Sequence, residues 1–194
     1  MGYLSESELK EMGLQFGANV LISEKCSIYG GENISIADNV RVDDFCVLSA
    51  VNGFIKLGSH VHVAPYCGLY GGGGIEMGDF SGISSGSSLY STNDNYSGDF
   101  LIGPTMFEDY RCVDARAIVL SKYVTVGTHS AVLPGVVLGE GSVLGAFSLA
   151  HRALDPWYLY SGVPAKKLRK RKNGLIDKAD MMSRRWAAQK IVPC

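Results

Sequence analysis

The fold class that this 194-residue sequence predicts is an all-β solenoid, a parallel coil of short strands built from six-residue repeats. Three observations carry the prediction. Aliphatic residues recur every six positions, as in Val126-Gly127, Val132, Leu138-Gly139 and Leu144-Gly145, with Val124, Ser130, Val136, Ser142 and Ser148 as a second inward series. The same rule holds earlier, through Ile36, Val42, Leu57, Val63, Met77 and Ile83. A six-residue period fits neither a helix nor an alternating strand. It fits hexapeptide strands joined by corners, three of which close a triangular coil of about eighteen residues. Second, the chain carries 24 glycines without linker or collagen composition, which implies many tight turns. Third, the period fails in one place, the polar stretch SSLYSTNDNYSG from Ser87 to Gly98.

Taken in order, residues 1–15 form an N-terminal helical segment, because Ser5 and Glu8 have capping-box spacing ahead of Leu9 and Met12. Residues 16–152 form the solenoid, with an inserted loop at about 88–117. Aliphatic leads stack inside, and small residues such as Cys46, Cys67 and Ser81 occupy the crowded inner corners. Residues 153–194 contain a loop with Pro156 and Trp157, a basic segment and a helix over Gly174–Ile191. Leu175, Ile176, Met181, Met182 and Trp186 lie along one side of that helix.

Composition limits the function classes. A net charge of -1 gives no reason to expect nucleic acid or an anionic membrane as partner. There is no apolar run long enough to span a bilayer and no signal-peptide pattern, so a soluble cytoplasmic protein is expected. The five cysteines, at 26, 46, 67, 112 and 194, form no CxxC pair, which argues against a disulfide framework or a zinc site. His60 and His62 straddle a corner while His129 and His151 lie far along the axis, so no metal site is expected.

The most specific motif is the ending LGEGSVLGAFSLAHRALDPWYLYSGVPAKKLRKRK. Its Gly145-Ala146-Phe147-Ser148 turn, the Gly162-Val163-Pro164-Ala165 elbow and the cations that follow resemble the hexapeptide-repeat acyltransferase superfamily. The opening, from Tyr3 to Ala50, is similar to N-acyltransferases acting on nucleotide-linked 4-amino-4,6-dideoxysugars for surface polysaccharides. The resemblance implies a left-handed β-helix and a homotrimer. It also implies acetyl-CoA or another acyl-CoA along the groove between two prisms, with a nucleotide-linked amino sugar at its mouth. Lys166, Lys167, Arg169 and Lys170 suit the phosphates of coenzyme A. Backbone groups of Gly145 and Ala146 suit its pantetheine amides, since a minimal side chain permits close approach.

Many O-acetylating relatives carry a histidine base where this chain has Asn93-Asp94. A carboxylate, with an ordinary pKa of about 3.9, is a poor base for an alcohol but can orient an ammonium or take one proton. Asp94 therefore points to an amine acceptor. Ser84 is similar to the position from which related aminosugar enzymes hydrogen-bond the thioester carbonyl. Asn93 and Tyr96 accompany Asp94, and Arg111 can meet nucleotide phosphates, with Phe100, Phe107 and Tyr110 available for stacking. His62 faces outward and is the rival base. Three readings follow: a sugar N-acyltransferase using Ser84 and Asp94, a sugar O-acetyltransferase using His62, and a non-catalytic binding module.

Overall fold

The computed structural model describes residues 2–190, with side chains to residue 186. Ile191 and Cys194 lie outside the described residues. The chain is a left-handed parallel β-helix of about seven turns. Three parallel faces form the prism. The first contains Gln15–Phe16, Ile34–Ile36, Ile55–Leu57, Ile75–Met77, Ile118–Leu120 and Val137–Leu138. The second contains Leu21–Ile22, Arg41–Val42, His62–Val63, Gly82–Ile83, Thr125–Val126 and Val143–Leu144. The third runs from Ser27–Tyr29 through Val47–Ser49, Gly68–Tyr70, Ser88–Tyr90 and Ala131–Val132 to Leu149–Ala150. Each coil contributes one inward aliphatic per face, so Ile22, Val42, Val63, Ile83, Val126 and Leu144 form one buried file.

The corners explain the small residues. Cys46 Sγ donates to the Ala64 carbonyl at 3.1 Å and Cys67 Sγ to that of Ser84 at 3.2 Å. Ser87 Oγ donates to the Gly127 carbonyl at 2.8 Å and Ser130 Oγ to that of Gly145 at 2.9 Å. Contact with Cys46 and burial push the Cys67 thiol up, and both thiols are engaged by carbonyls inside the corner. At the neighbouring corner Val40, Val61, Ser81, Val124 and Ser142 occupy equivalent places, and the Ser81 and Ser142 hydroxyls are buried without a partner. An orphaned buried hydroxyl costs about 1–3 kcal/mol, whereas a satisfied one contributes about 1 kcal/mol. Ser142→Ala should therefore raise the thermal midpoint by roughly 2–4 °C, while Ser130→Ala should lower it by at least as much. Calorimetric or circular-dichroism melting of both variants checks the opposite signs.

The outer edges carry non-glycine residues in the left-handed region. His60, Phe80 and Tyr123 have φ of 61°, 58° and 63°, and stack with centroids 4.7 and 5.5 Å apart. Left-handed backbone costs about 1–2 kcal/mol per residue, which aromatic stacking of about 0.5–1.5 kcal/mol per pair partly offsets. On another edge, Gly86 breaks the series because a Cβ there would meet the His129 ring at 2.4 Å.

The ends modify the sequence reading. Helix α1 (Glu6–Glu11) has the expected capping box, with Ser5 N–H donating to Glu8 Oε2 at 2.7 Å. The strand Ser88–Tyr90 still belongs to the third face, so the excursion is narrower than 88–117 and leaves and returns through the antiparallel pair Thr92–Asp94 and Val113–Ala115. The segment expected as a loop and a basic run is instead an antiparallel hairpin, Tyr158–Ser161 with Lys166–Lys170, that extends the second face. Helix α2 (Leu175–Lys190) lies over the aromatic edge, with Trp186 edge-on to His60 at 6.5 Å. Ala179 is its buried contact, whereas Met181 is 70% exposed and does not join the apolar side expected of it. Among the described residues no helix is long and apolar enough to cross a membrane.

Candidate active site

The second face sets out two outward rows. Arg41, His62, Gly82, Thr125 and Val143 share one register position. The next is Asp43, Ala64, Ser84, Gly127 and Gly145, tied by ladder bonds from Asp43 N to Val63 O (2.9 Å), Ala64 N to Ile83 O (3.0 Å) and Ser84 N to Val126 O (2.8 Å). Ser84 is thus fixed on a rigid strand end between residues with small or no side chains. Its hydroxyl has no hydrogen-bond partner among the described residues and is available as a donor.

Both backbone groups of Gly145 already have a partner. Its N–H donates to the Tyr160 carbonyl at 2.7 Å and its carbonyl accepts from Ser130, so it supplies space rather than a spare amide. The Ala146 carbonyl already accepts from Ser148 Oγ at 3.1 Å.

His62 faces outward as expected, and the structure adds a partner that the sequence reading missed. Its Nε2 lies 2.7 Å from Asp43 Oδ2, and Asp43 Oδ1 accepts from Arg41 Nε at 2.6 Å. Asp43 is buried. Burial pushes its carboxyl up, but the bonds from His62 and Arg41 outweigh this and hold it below the usual carboxylate range. The available signal was positional: Asp43 follows inward Val42 exactly one coil before Ala64, two residues past His62.

The excursion brings Asn93, Asp94, Tyr96 and Arg111 together. Arg111 Nη2 donates to Asp94 Oδ1 at 3.3 Å, and Tyr96 OH donates to Asn93 Oδ1 at 3.1 Å. Arg111 Nε is buried with no partner. Of these residues, Arg111 lines a cleft of about 650 Å³ whose walls also include Ser49, Tyr70, Thr92 and Glu108. Tyr70 stacks on Tyr90 with centroids 5.0 Å apart, which gives the cleft an aromatic wall that the repeat did not reveal. Phe100, Phe107 and Tyr110 are exposed. Within one chain Ser84 and Asp94 are not brought together, because Ser84 precedes the third-face strand Ser88–Tyr90 and Asp94 follows it.

The cations divide into two sets. Lys167 pairs with Asp155 and lies 4.0 Å from the Tyr158 ring centroid, and Arg171 donates to the carbonyls of Tyr123 and Gly141 at 2.8 and 3.0 Å. Both therefore have structural partners. Lys166, Arg169 and Lys170 are exposed and make no ion pair among the described residues. Lys166 borders a second cleft, of about 340 Å³, beside His151 and Arg152.

The hexapeptide prism thus carries an acidic excursion beside a cleft and a basic hairpin at its end. No protein-family model matches the chain. It is 40% identical over 178 residues to dTDP-4-amino-4,6-dideoxy-D-glucose acyltransferase of Escherichia coli, covering 91% of this chain and 93% of that protein. It is 44% identical to AntD, an N-acyltransferase from Bacillus cereus solved with dTDP and 3-hydroxybutyryl-CoA; the TM-score is 0.90, over 95% of this chain and 98% of that one. AntD has also been solved as S84A and D94N variants, the same residue types and numbers as Ser84 and Asp94 here. The acetyltransferase VCA0836 of Vibrio cholerae shares the fold at 19% identity and a TM-score of 0.60, over 86% of this chain and 79% of that one. The chain belongs to the dTDP-4-amino-4,6-dideoxy-D-glucose acyltransferase family.

Proposed function

We propose that this protein transfers an acyl group from acyl-CoA to the amino group of a dTDP-linked 4-amino-4,6-dideoxysugar, as a cytoplasmic homotrimer serving surface glycan synthesis. The observation that carries the reading is Asp94, a half-buried carboxylate paired with Arg111 where an oxygen-acylating relative has a histidine. The neutral amine attacks the thioester carbonyl, and Ser84 Oγ donates to the oxygen as it becomes anionic. Asp94 takes one proton from nitrogen. The C–S bond then breaks, and the departing thiolate takes that proton from the Asp94 carboxyl, so that the nitrogen keeps its remaining hydrogen as the amide N–H. Because the third face separates Ser84 from Asp94 in one chain, the trimer reading pairs Ser84 of one protomer with Asp94 of another. The cleft beside Arg111 and Tyr70 suits the nucleotide, with the guanidinium toward its phosphates.

One observation favours the second reading, O-acetylation: Asp43 holds His62 as a carboxylate holds a general base. Thiol release from acyl-CoA with paired 4-amino, 3-amino and hydroxyl-only nucleotide sugars separates the two. Turnover confined to the 4-amino acceptor is expected, and turnover on a hydroxyl-only acceptor would move the assignment to His62.

Lys166, Arg169 and Lys170 are assigned to the coenzyme A phosphates. Arg169→Ala with Lys170→Ala should raise KM for acyl-CoA about tenfold with kcat nearly unchanged, because these contacts act equally on ground and transition states. The effect should shrink in high salt, where exposed charge pairs are screened. Steady-state kinetics at two ionic strengths provides the check.

A further inference from the structure

Transfer to nitrogen uses Ser84 and Asp94 and leaves one built group without a task. Asp43 is 4% exposed, and a buried carboxylate is costly unless partners meet it. Its partners are Arg41 Nε at 2.6 Å and His62 Nε2 at 2.7 Å. A carboxylate only accepts, so the hydrogen of a neutral His62 ring sits on Nε2 and Nδ1 keeps its lone pair. Nδ1 has no hydrogen-bond partner among the described residues. The two nitrogens point to opposite sides of the ring, so with Nε2 turned to Asp43 on the preceding coil, Nδ1 is turned away from it.

This clamp sets a base beside the Ser84 hydroxyl. His62 pairs in register with Gly82, and Ser84 lies two residues past Gly82 on the same outward side, with Val63 and Ile83 turned inward. Two residues along a strand and one step between strands are about 6.6 and 4.8 Å, which places the two Cα atoms about 8 Å apart on the diagonal. Hydrogen bonds of about 2.8 Å, from a water to Nδ1 and from Ser84 Oγ to a carbonyl oxygen, occupy most of that gap. Only Gly82 and Ala64 lie between, so nothing larger than a methyl group stands there.

We propose that the enzyme is also an acyl-CoA hydrolase when no acceptor is bound, with His62 as the base that activates water and Asp43 as the residue that positions it. The inference rests on the reading of Ser84 as the residue that meets the thioester. His62 Nδ1 takes a proton from water as the water oxygen attacks the carbonyl carbon, and Ser84 Oγ donates to the oxyanion. The C–S bond then breaks and the thiolate takes that proton from the imidazolium, which releases a carboxylic acid and coenzyme A. An amine in the same place displaces the water, and the acyl group goes to nitrogen instead.

The test incubates the enzyme with acetyl-CoA or 3-hydroxybutyryl-CoA in oxygen-18 water, with and without the dTDP-linked 4-amino sugar. Without acceptor, thiol release from at least one donor should exceed the enzyme-free rate, and the released acid should carry one heavy oxygen. A general base contributes about 10²–10⁴-fold, so His62→Gln should lower the ratio of hydrolysis to transfer at least tenfold. Both rates are read on one preparation, so any loss of folded enzyme cancels. Asp43→Asn should lower the ratio likewise, and nitrogen-15 spectra of its His62 ring should lose the single Nε2-protonated form. Hydrolysis no faster than the enzyme-free rate while transfer proceeds overturns the proposal, as does a ratio that falls less than tenfold in His62→Gln. Absence of thiol release from either donor even with the amino sugar overturns the acyltransferase reading itself and this inference with it.

Discussion

Asp94→Asn is expected to lower kcat by about 10²–10³-fold with little change in the KM for acyl-CoA. Asparagine has the same shape but neither the charge that orients an ammonium nor the capacity to take its proton. General acid–base groups contribute about 10²–10⁴-fold where they act. The substitution also weakens the pair with Arg111, whose separation of 3.3 Å and part-buried setting make it a modest contributor to stability. The thermal midpoint should therefore stay close to wild type, which separates a chemical role from a structural one. A variant that kept kcat within threefold of wild type would remove Asp94 from the mechanism.

The second large effect is at Ser84. Its hydroxyl sits on a strand end whose N–H is fixed to Val126 O at 2.8 Å, so the donor is placed before substrate arrives. A pre-placed donor aimed at a developing oxyanion contributes about 10²–10³-fold to kcat. Ser84→Ala should show that loss in kcat and in kcat/KM alike, because the bond strengthens in the transition state. Ala64 and Gly127, its neighbours in the row, leave little bulk nearby, so the alanine variant should fold normally. An increase in KM without a fall in kcat would instead make Ser84 a residue of ground-state binding.

The coil was legible because every turn repeats the same physical demand. One inward aliphatic per face must meet the one above it, and Ile22, Val42, Val63 and Ile83 show that demand directly in the sequence. The corner cysteines and serines were legible for the same reason. Outward positions carry no such constraint. Tyr70 and Ser49 therefore gave no sign that they wall a cleft. The Asp43–His62 contact was hidden because it joins side chains 19 residues apart on successive coils, and Asp43 is buried in a row whose other members are small. The terminal hairpin was hidden because Tyr158–Ser161 has no hexapeptide signature and pairs antiparallel with a strand made wholly of Lys, Leu and Arg. Ser84 and Asp94 were singled out through resemblance, Ser84 by its likeness to related aminosugar enzymes and Asp94 by standing where O-acetylating relatives carry a histidine. Their separation by the third face became visible only in three dimensions.

The bond formed is the most direct test of the whole account. The enzyme would be given the dTDP-linked 4-amino-4,6-dideoxy sugar labelled with nitrogen-15 at the amine and an acyl-CoA labelled with carbon-13 at its carbonyl. Nuclear magnetic resonance of the product should show that carbon coupled directly to that nitrogen, the signature of an amide at C4. An ester carbonyl on a ring hydroxyl, with the nitrogen still a free amine, would contradict the assignment of Asp94 and place the chemistry with His62.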